Sequence, residues 1–481
     1  MSERAQASTV AAVAKRVAPH PHVLMGVLVA LLLSFGYILS RAHESATVVL
    51  ACSLVIVLVS LYPAFLWATG ALPGMPIVPL HLFTVLWTYG LPLCSNHTEI
   101  VGYEPLQYIE MTVTLVLYCL AVTGAWILVG RRLPMPGRRF LVLEGRTGFP
   151  FLAMVLFFAC VFMASVIGDG LFALSEGTFA ILRSVILALT SVALYVLSFN
   201  LGRGGFHPRQ AVVLFTLAGA YLVLQMATLF LIGAAVSAAS MLVGYVFGAR
   251  RIPWVVLSVL IAVFTVLHLG KAQMRNEVWG ESHHALGITD LPEFFGTWFD
   301  QGMQQLRADR AGPGTTSLFE RASLAHVLLY AQASTPDVVP HLLGYSYEVI
   351  PELLVPRIFW PDKASSHEGT TRLNVEYGIQ TAEDAEYTTV GWGLINEAWA
   401  NFGDYGVVVL GLLLGALYGW AGHLAVGAPA LSLNVFVAST FAGVALQTEF
   451  TMGVFVTVLF QSLVSVAAII PLLRRRQGEA S

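Results

Sequence analysis

The sequence predicts an all-α polytopic membrane protein, with about twelve spanning helices and one large, partly helical loop on the outer side. Three observations carry this. Apolar residues make up 57% of the 481 and charged residues only 11%, against about 25% charged in soluble domains. The mean hydropathy is +0.75. Apolar runs of about 20 residues, the length that crosses a hydrocarbon core, recur along the chain. Lipid offers the backbone no hydrogen bonds, so each run reads as a helix.

In chain order the expected spans are 23–40, 47–69, 72–94, 107–130, 148–168, 178–200, 211–228, 231–248, 254–270, 405–425, 431–448 and 451–472. Gly233 is the only break in 211–248, so that stretch also admits another division. Lys15 and Arg16 precede the first run and no small-x-small cleavage site follows it, which predicts a retained anchor. The chain thus divides into a bundle of about nine spans (1–270), a loop (271–404), and about three further spans with a basic tail (405–481). With twelve spans, Arg4, Lys15, Arg16, Arg131, Arg132, Arg138, Arg139, Arg146, Arg203, Arg209, Arg250, Arg251 and Arg474 to Arg476 all fall on one side, with Arg41 alone in the short loops opposite. By the positive-inside rule both termini are cytoplasmic. Cys52, Cys94, Cys119 and Cys160 sit in predicted spans and read as small apolar fillers; none could form a disulfide in the loop.

The loop carries most of the chain's 28 acidic residues. A capping box of Asp290 and Glu293 predicts a helix to about Arg310, and Ser317 with Glu320 a second to about Ala333. The stretch from Leu354 to Val390 reads as irregular, and Gly391 to Phe402 as a helix leading into the next span. No GxxxxGK[ST] loop argues for a nucleotide-driven pump, and no Cys/His spacing predicts a metal or other cofactor. His283-His284 and the acidic run Glu383, Asp384, Glu386 read as solvated. A net charge of −3 gives no reason to expect nucleic acid.

Ionisable residues within spans default to functional hypotheses. Glu110, Asp169, Glu176, Arg183, His268 and Glu449 all fall near the outer ends, with no comparable charge expected at the midplane or in the inner halves. Coupled transporters place their sites near the midplane, so this one-sidedness argues for a cavity opening outward beneath the loop. In the loop, Lys271 and Arg275 emerge one turn apart, Arg321 opens a helix, and Arg357, Lys363 and Arg372 follow. Such cations are either ion-paired or aimed at an anionic ligand. Prolines and aromatics in Val355-Pro356-Arg357-Ile358-Phe359-Trp360-Pro361-Asp362-Lys363 would hold two of them rigidly beside the membrane surface, where Arg meets a pyrophosphate as a fork and Lys as a point charge.

Phe319-Glu320-Arg321, Gly344-Tyr345-Ser346-Tyr347, Pro356-Arg357-Ile358-Phe359-Trp360-Pro361-Asp362-Lys363 and Glu397-Ala398-Trp399-Ala400-Asn401-Phe402-Gly403-Asp404-Tyr405-Gly406 follow one another in that order. Over 319–406 the chain resembles the bacterial oligosaccharide repeat-unit polymerases, the Wzy-type O-antigen polymerases. Ala364 stands where many members have proline. The resemblance implies an inner-membrane glycosyltransferase working on its periplasmic face, for O-antigen, capsule or exopolysaccharide. It would transfer a glycan from undecaprenyl pyrophosphate to a lipid-linked repeat unit, without metal or cofactor. Its partners would be lipid-linked oligosaccharides and membrane lipid, with a chain-length regulator and a flippase. An O-antigen ligase-like enzyme and a lipid-linked oligosaccharide flippase are the alternatives. The chemistry asks for cations at the departing pyrophosphate and a base at the acceptor hydroxyl. Arg275, Arg321, Arg357, Lys363 and Arg372, with Arg183 and Lys271 in reserve, are candidates for the first. Glu397, then His326 and His367, are candidates for the second, Glu397 reading equally as an ion pair that holds the loop to the bundle. Phe359, Trp360, Trp392 and Trp399 are candidate sugar platforms or interfacial anchors.

Overall fold

A computed structural model of the chain describes residues 20–43, 45–95, 97–134, 139–143, 145–168, 176–279, 286–308, 322–356, 359–360, 362–387 and 389–477. The bundle opens with α1 (Pro21–Ser40), α2 (Thr47–Ala68) and α3 (Ile77–Val85). It continues through α4 (Pro105–Arg132), α5 (Gly145–Ile167), α6 (Glu176–Gly202), α7 (Pro208–Ala227), α8 (Leu231–Ala249) and α9 (Trp254–Trp279). The long connection holds α10 (Leu291–Ala308), α11 (Ala325–Ser334), α12 (Ile350–Leu353), α13 (Glu368–Glu376) and α14 (Ala382–Tyr387). The chain then runs through α15 (Gly393–Leu424), α16 (Leu433–Ala445) and α17 (Met452–Ala467). Among the described residues nine helices are long and apolar enough to cross a membrane; Gly233–Ala249, α16 and α17 are shorter apolar helices. The outward faces are apolar, with Leu33 70% and Val255 78% exposed. That is the surface of a protein solvated by lipid, since water-facing helices carry charge there.

Local sequence explains the ends. Pro105 and Pro208 occupy first helical turns, where a missing N–H costs nothing. Gln107 and Gln210 accept from the Glu104 and His207 amides just before them, at 2.9 and 3.0 Å. α3 ends in a π turn, Leu86–Gly90, and a 3-10 turn, Pro92–Cys94. The wide turn turns carbonyls outward: Thr88 O accepts from Leu324 N–H at 2.9 Å and Gly90 O from Ser53 Oγ at 2.6 Å.

Small residues set the closest crossings. On α15, Gly411, Gly415 and Gly419 recur every fourth residue against α4; a Cβ on Gly411 would lie 2.8 Å from the Ala121 Cβ, and one on Gly415 would collide with the Val122 carbonyl. Gly244 and Gly248 of α8 meet the Tyr195 and Phe199 carbonyls of α6 in the same way. At one end of the bundle, strand β1 (Arg139–Val142) pairs antiparallel with β2 (Arg474–Gln477), and Val142 bridges to Ser432. Met75 N–H donates to Gly422 O at 3.0 Å, and His423 Nε2 lies 3.0 Å from Pro134 O. At the opposite end α11 rests on the α3 π turn, and Gly393 N–H donates to Glu449 O.

Several expectations change. Asp290 closes a 3-10 turn and accepts from Gly287 N–H at 3.0 Å, so it braces the turn before α10 and is not paired with Glu293 in a box. The expected start of the second loop helix at Ser317 lies outside the described residues; α11 begins at Ala325. Residues 354–390 are not irregular throughout, since α13 and α14 lie there. The segment from Gly391 and the next span form one helix, broken only where Gly403 takes φ 61° and ψ −151°. His81, the fifth residue of α3, is buried within the bundle, with Nε2 2.6 Å from Tyr118 Oη and Nδ1 3.1 Å from Ala445 O, so one ionisable side chain lies below α11 held by partners of its own.

Candidate functional site

The first ten residues of α15 hold the segment that carries the candidate site. Gly393 must be glycine at φ 77°, because a Cβ would lie 2.7 Å from the Thr448 carbonyl. From there Glu397 and Asn401, one turn apart, face the 3-10 turn Tyr345–Tyr347. Asn401 Oδ1 accepts from Gly344 N–H at 2.9 Å, and its Nδ2 donates to Ser346 Oγ and Glu397 O, each at 2.8 Å. Ser346 Oγ passes the donation on to Glu397 Oε1 at 2.8 Å, and Met452 N–H donates to Glu397 Oε2. Glu397, Asn401 and Ser346 have no exposed surface. Both oxygens of a buried carboxylate thus have donors, as burial demands. Glu397 ties three segments, 344–346, α15 and the start of α17, into one knot.

The exposed face of the same turn is different. Arg372, from α13, donates through Nη1 to Tyr345 O at 2.8 Å and to Glu348 at 3.1 Å, and through Nε to Glu368 at 3.3 Å. Its guanidinium lies 4.3 Å from the centre of the Tyr345 ring. Partial burial disfavours the charge, but the Glu368 and Glu348 hydrogen bonds more than offset it and hold the pKa above its ordinary value. Arg372, Glu348, Val349, Pro351, Glu352 and Trp360 line a cleft of about 490 Å³. Trp360 is 47% exposed. A guanidinium, two carboxylates and an open indole face are the groups that bind a polyhydroxylated ring, through directional hydrogen bonds and stacking. Burial, and then the charge of Glu397, push the Tyr347 phenol up, so it stays a neutral donor.

The remaining expected residues divide. Lys363 Nζ donates to Leu353 O and Val355 O, at 2.8 and 2.6 Å, and so caps the end of α12. Arg275 turns to the bundle, donating to Leu229 O at 3.1 Å and covering the Phe230 ring, within electrostatic reach of Glu449. Lys271 is half-buried on the same helix. Trp392 cannot offer a face to a sugar: it is fully buried, bonded to Asn374 Oδ1 at 2.8 Å and packed on Tyr377. Trp399 packs against His341. His367 is exposed at the start of α13. His326 joins His97 and Glu99 instead of Glu397; burial, then His97, lower its pKa to about 4. Arg321 and Arg357 lie outside the described residues, as does the Arg183 side chain. Tyr345 and Ser346 stood in the sequence only as part of a motif segment, with no role attached; Glu348 and Glu352, in the same run beyond the Gly344 turn, carried no periodic signal.

No protein-family model matches this chain, and no curated protein or solved structure matches it either.

Proposed function

We propose that this chain is a membrane glycosyltransferase that polymerises lipid-linked oligosaccharide repeat units on the outer face of a bacterial inner membrane. One observation carries the reading: the motif segments that resemble repeat-unit polymerases, Gly344 to Ser346 and Glu397 to Asn401, are hydrogen-bonded to each other, with the Arg372 cleft on the other face of the same turn. In the reaction, the bond from the donor sugar C1 to the pyrophosphate oxygen breaks as C1 bonds to an acceptor hydroxyl oxygen. The hydroxyl proton passes to a carboxylate and the pyrophosphate leaves on its lipid. Arg372 and Arg357 are the cations for the departing charge. Glu348, exposed, and Glu352, half-buried, line the cleft and can meet an acceptor hydroxyl. Glu397, without exposed surface, holds the turn that carries them.

Twelve crossings, with both termini on one side, fit the contacts, and the basic-residue tally makes that side the cytoplasm. The pairing of β1 with β2 and the Val142–Ser432 bridge call for an even number of crossings between each pair of partners. Counting α8, α16 and α17 as spans meets that parity; the longer helices alone do not.

The test is complementation of a deletion strain with Arg372→Ala, Arg357→Ala and Glu352→Gln, followed by surface polysaccharide gels. The expected product is core plus a single repeat unit. Intact chain-length ladders in all three, at normal expression, would refute the assignment. Loss of the single unit as well would point to ligation or flipping.

A further inference from the structure

Apart from the cleft, a second cluster joins residues 229 positions apart in sequence. His97 and Glu99 lie in the connection from α3 to α4, and His326 is the second residue of α11. One ligand atom from each lies within 4.8 Å of the other two. His326 Nε2 and Glu99 Oε2 are 3.6 Å apart, and the two imidazoles stack with centroids 4.7 Å apart at 20°. At 3.6 Å the carboxylate is too far for a good hydrogen bond. His326 Nδ1 is buried with no hydrogen-bond partner among the described residues. His97 Nδ1 accepts from the Glu99 amide at 3.1 Å, a bond that ligation through that atom would replace.

We propose that His97, Glu99 and His326 bind one transition-metal dication of the zinc type. A tetrahedral zinc ion, with bonds of about 2.0–2.1 Å, holds neighbouring ligand atoms roughly 3.4 Å apart. The His326–Glu99 separation of 3.6 Å already approaches this. Two imidazole nitrogens and one carboxylate oxygen suit zinc, cobalt or nickel; calcium and magnesium prefer all-oxygen shells. Glu99 is 68% exposed, so solvent reaches the ion and supplies the fourth ligand. The ion clips the 97–99 segment onto α11. That helix also carries Gln332, which donates to Thr114 of α4 at 3.0 Å. The site is separate from the Arg372 cleft, and the proposal stands or falls independently of the proposed reaction.

The test uses the full-length chain in detergent, purified without a polyhistidine tag and stripped with chelator. Zinc is titrated calorimetrically, and cobalt is added to read its visible ligand-field bands. Binding should saturate at one ion per chain, with cobalt bands of a four-coordinate site. His97→Ala and His326→Ala should each weaken binding at least about 10-fold, the lower end of what even outer-shell changes do, while His367→Ala, at an exposed histidine elsewhere, leaves it unchanged. Glu99→Gln, at an exposed position, should weaken binding without disturbing the monodisperse elution profile, and so decides the matter if a histidine variant fails to fold. Absence of saturable binding, or unchanged affinity in Glu99→Gln together with either folded histidine variant, overturns the proposal.

Discussion

At the scale of single residues, the Ser346 hydroxyl occupies a position that only a donor-acceptor can fill. It receives the Asn401 amide and gives its own proton to Glu397, so Ser346→Ala leaves Glu397 Oε1 without its donor and one of the two Asn401 amide hydrogens without its acceptor. Leaving a buried group unsatisfied costs about 1–3 kcal/mol. Ser346→Ala should therefore lower the thermal unfolding midpoint in detergent by several degrees and make the 344–348 turn more susceptible to protease. An unchanged midpoint would mean that Glu397 is not held through this hydroxyl. Half of this knot was legible in the sequence. Glu397 and Asn401 share a helix face by spacing alone, and the start of that helix was expected. Ser346 lies 51 residues away, and a long-range side-chain partner leaves no periodic trace. The tryptophans divide for a similar reason: Trp392 and Trp360 look alike in sequence, yet only the tertiary structure decides that one bonds Asn374 inside the protein and the other lines the cleft.

At the scale of elements, the apolar helices were legible because lipid imposes one rule on every helix it contacts. In the loop, α10 and the end of α11 were legible, and the shorter α13 and α14 were not. α13 and α14 are one to three turns long, too short to be stable by propensity, and they persist by packing and caps. Leu373 and Asn374 are fully buried, and Thr381 Oγ1 accepts from Asp384 N–H at 3.1 Å to start α14. The α4–α15 crossing is a second element-scale feature. Gly415 faces the Val122 carbonyl, so Gly415→Val must push the helices apart. Overpacking of this kind costs about 1–3 kcal/mol, and here the obstacle is backbone, which cannot rotate away. The variant should lose monodispersity on size exclusion and lower the unfolding midpoint. Gly124→Ala on the partner helix, where nothing lies within 4 Å of the added carbon, should leave both unchanged or slightly improved. Equal behaviour of the two variants would show that the glycine stripe does not set the helix separation.

At the scale of the whole molecule, the number of crossings fixes which side the cleft faces, and the twelve-crossing reading makes a prediction that nine crossings contradict. With twelve, residue 207 and residue 362 lie on opposite sides of the membrane. With only the nine longest apolar helices crossing, α8 would lie in the interface and both positions would fall on the same side. His207 and Asp362 are both exposed, so a cysteine at either can react. Background is low because Cys52, Cys94 and Cys119 are buried and Cys160 is half-buried within α5. Asp362→Cys should be labelled by a membrane-impermeant maleimide once the outer membrane is permeabilised. His207→Cys should be labelled only after the inner membrane is opened as well. Labelling of both under the first condition, or of neither, would remove α8 from the set of spans. It would also bring the β1–β2 pair into conflict with the topology, since those strands must share a side. The strand pairing asks only that its two strands share a side, and the positive-inside tally, taken with twelve crossings, makes that side the cytoplasmic one. Agreement of the labelling with both would place the Arg372 cleft on the side where a lipid-linked sugar, already carried across the membrane, can enter it.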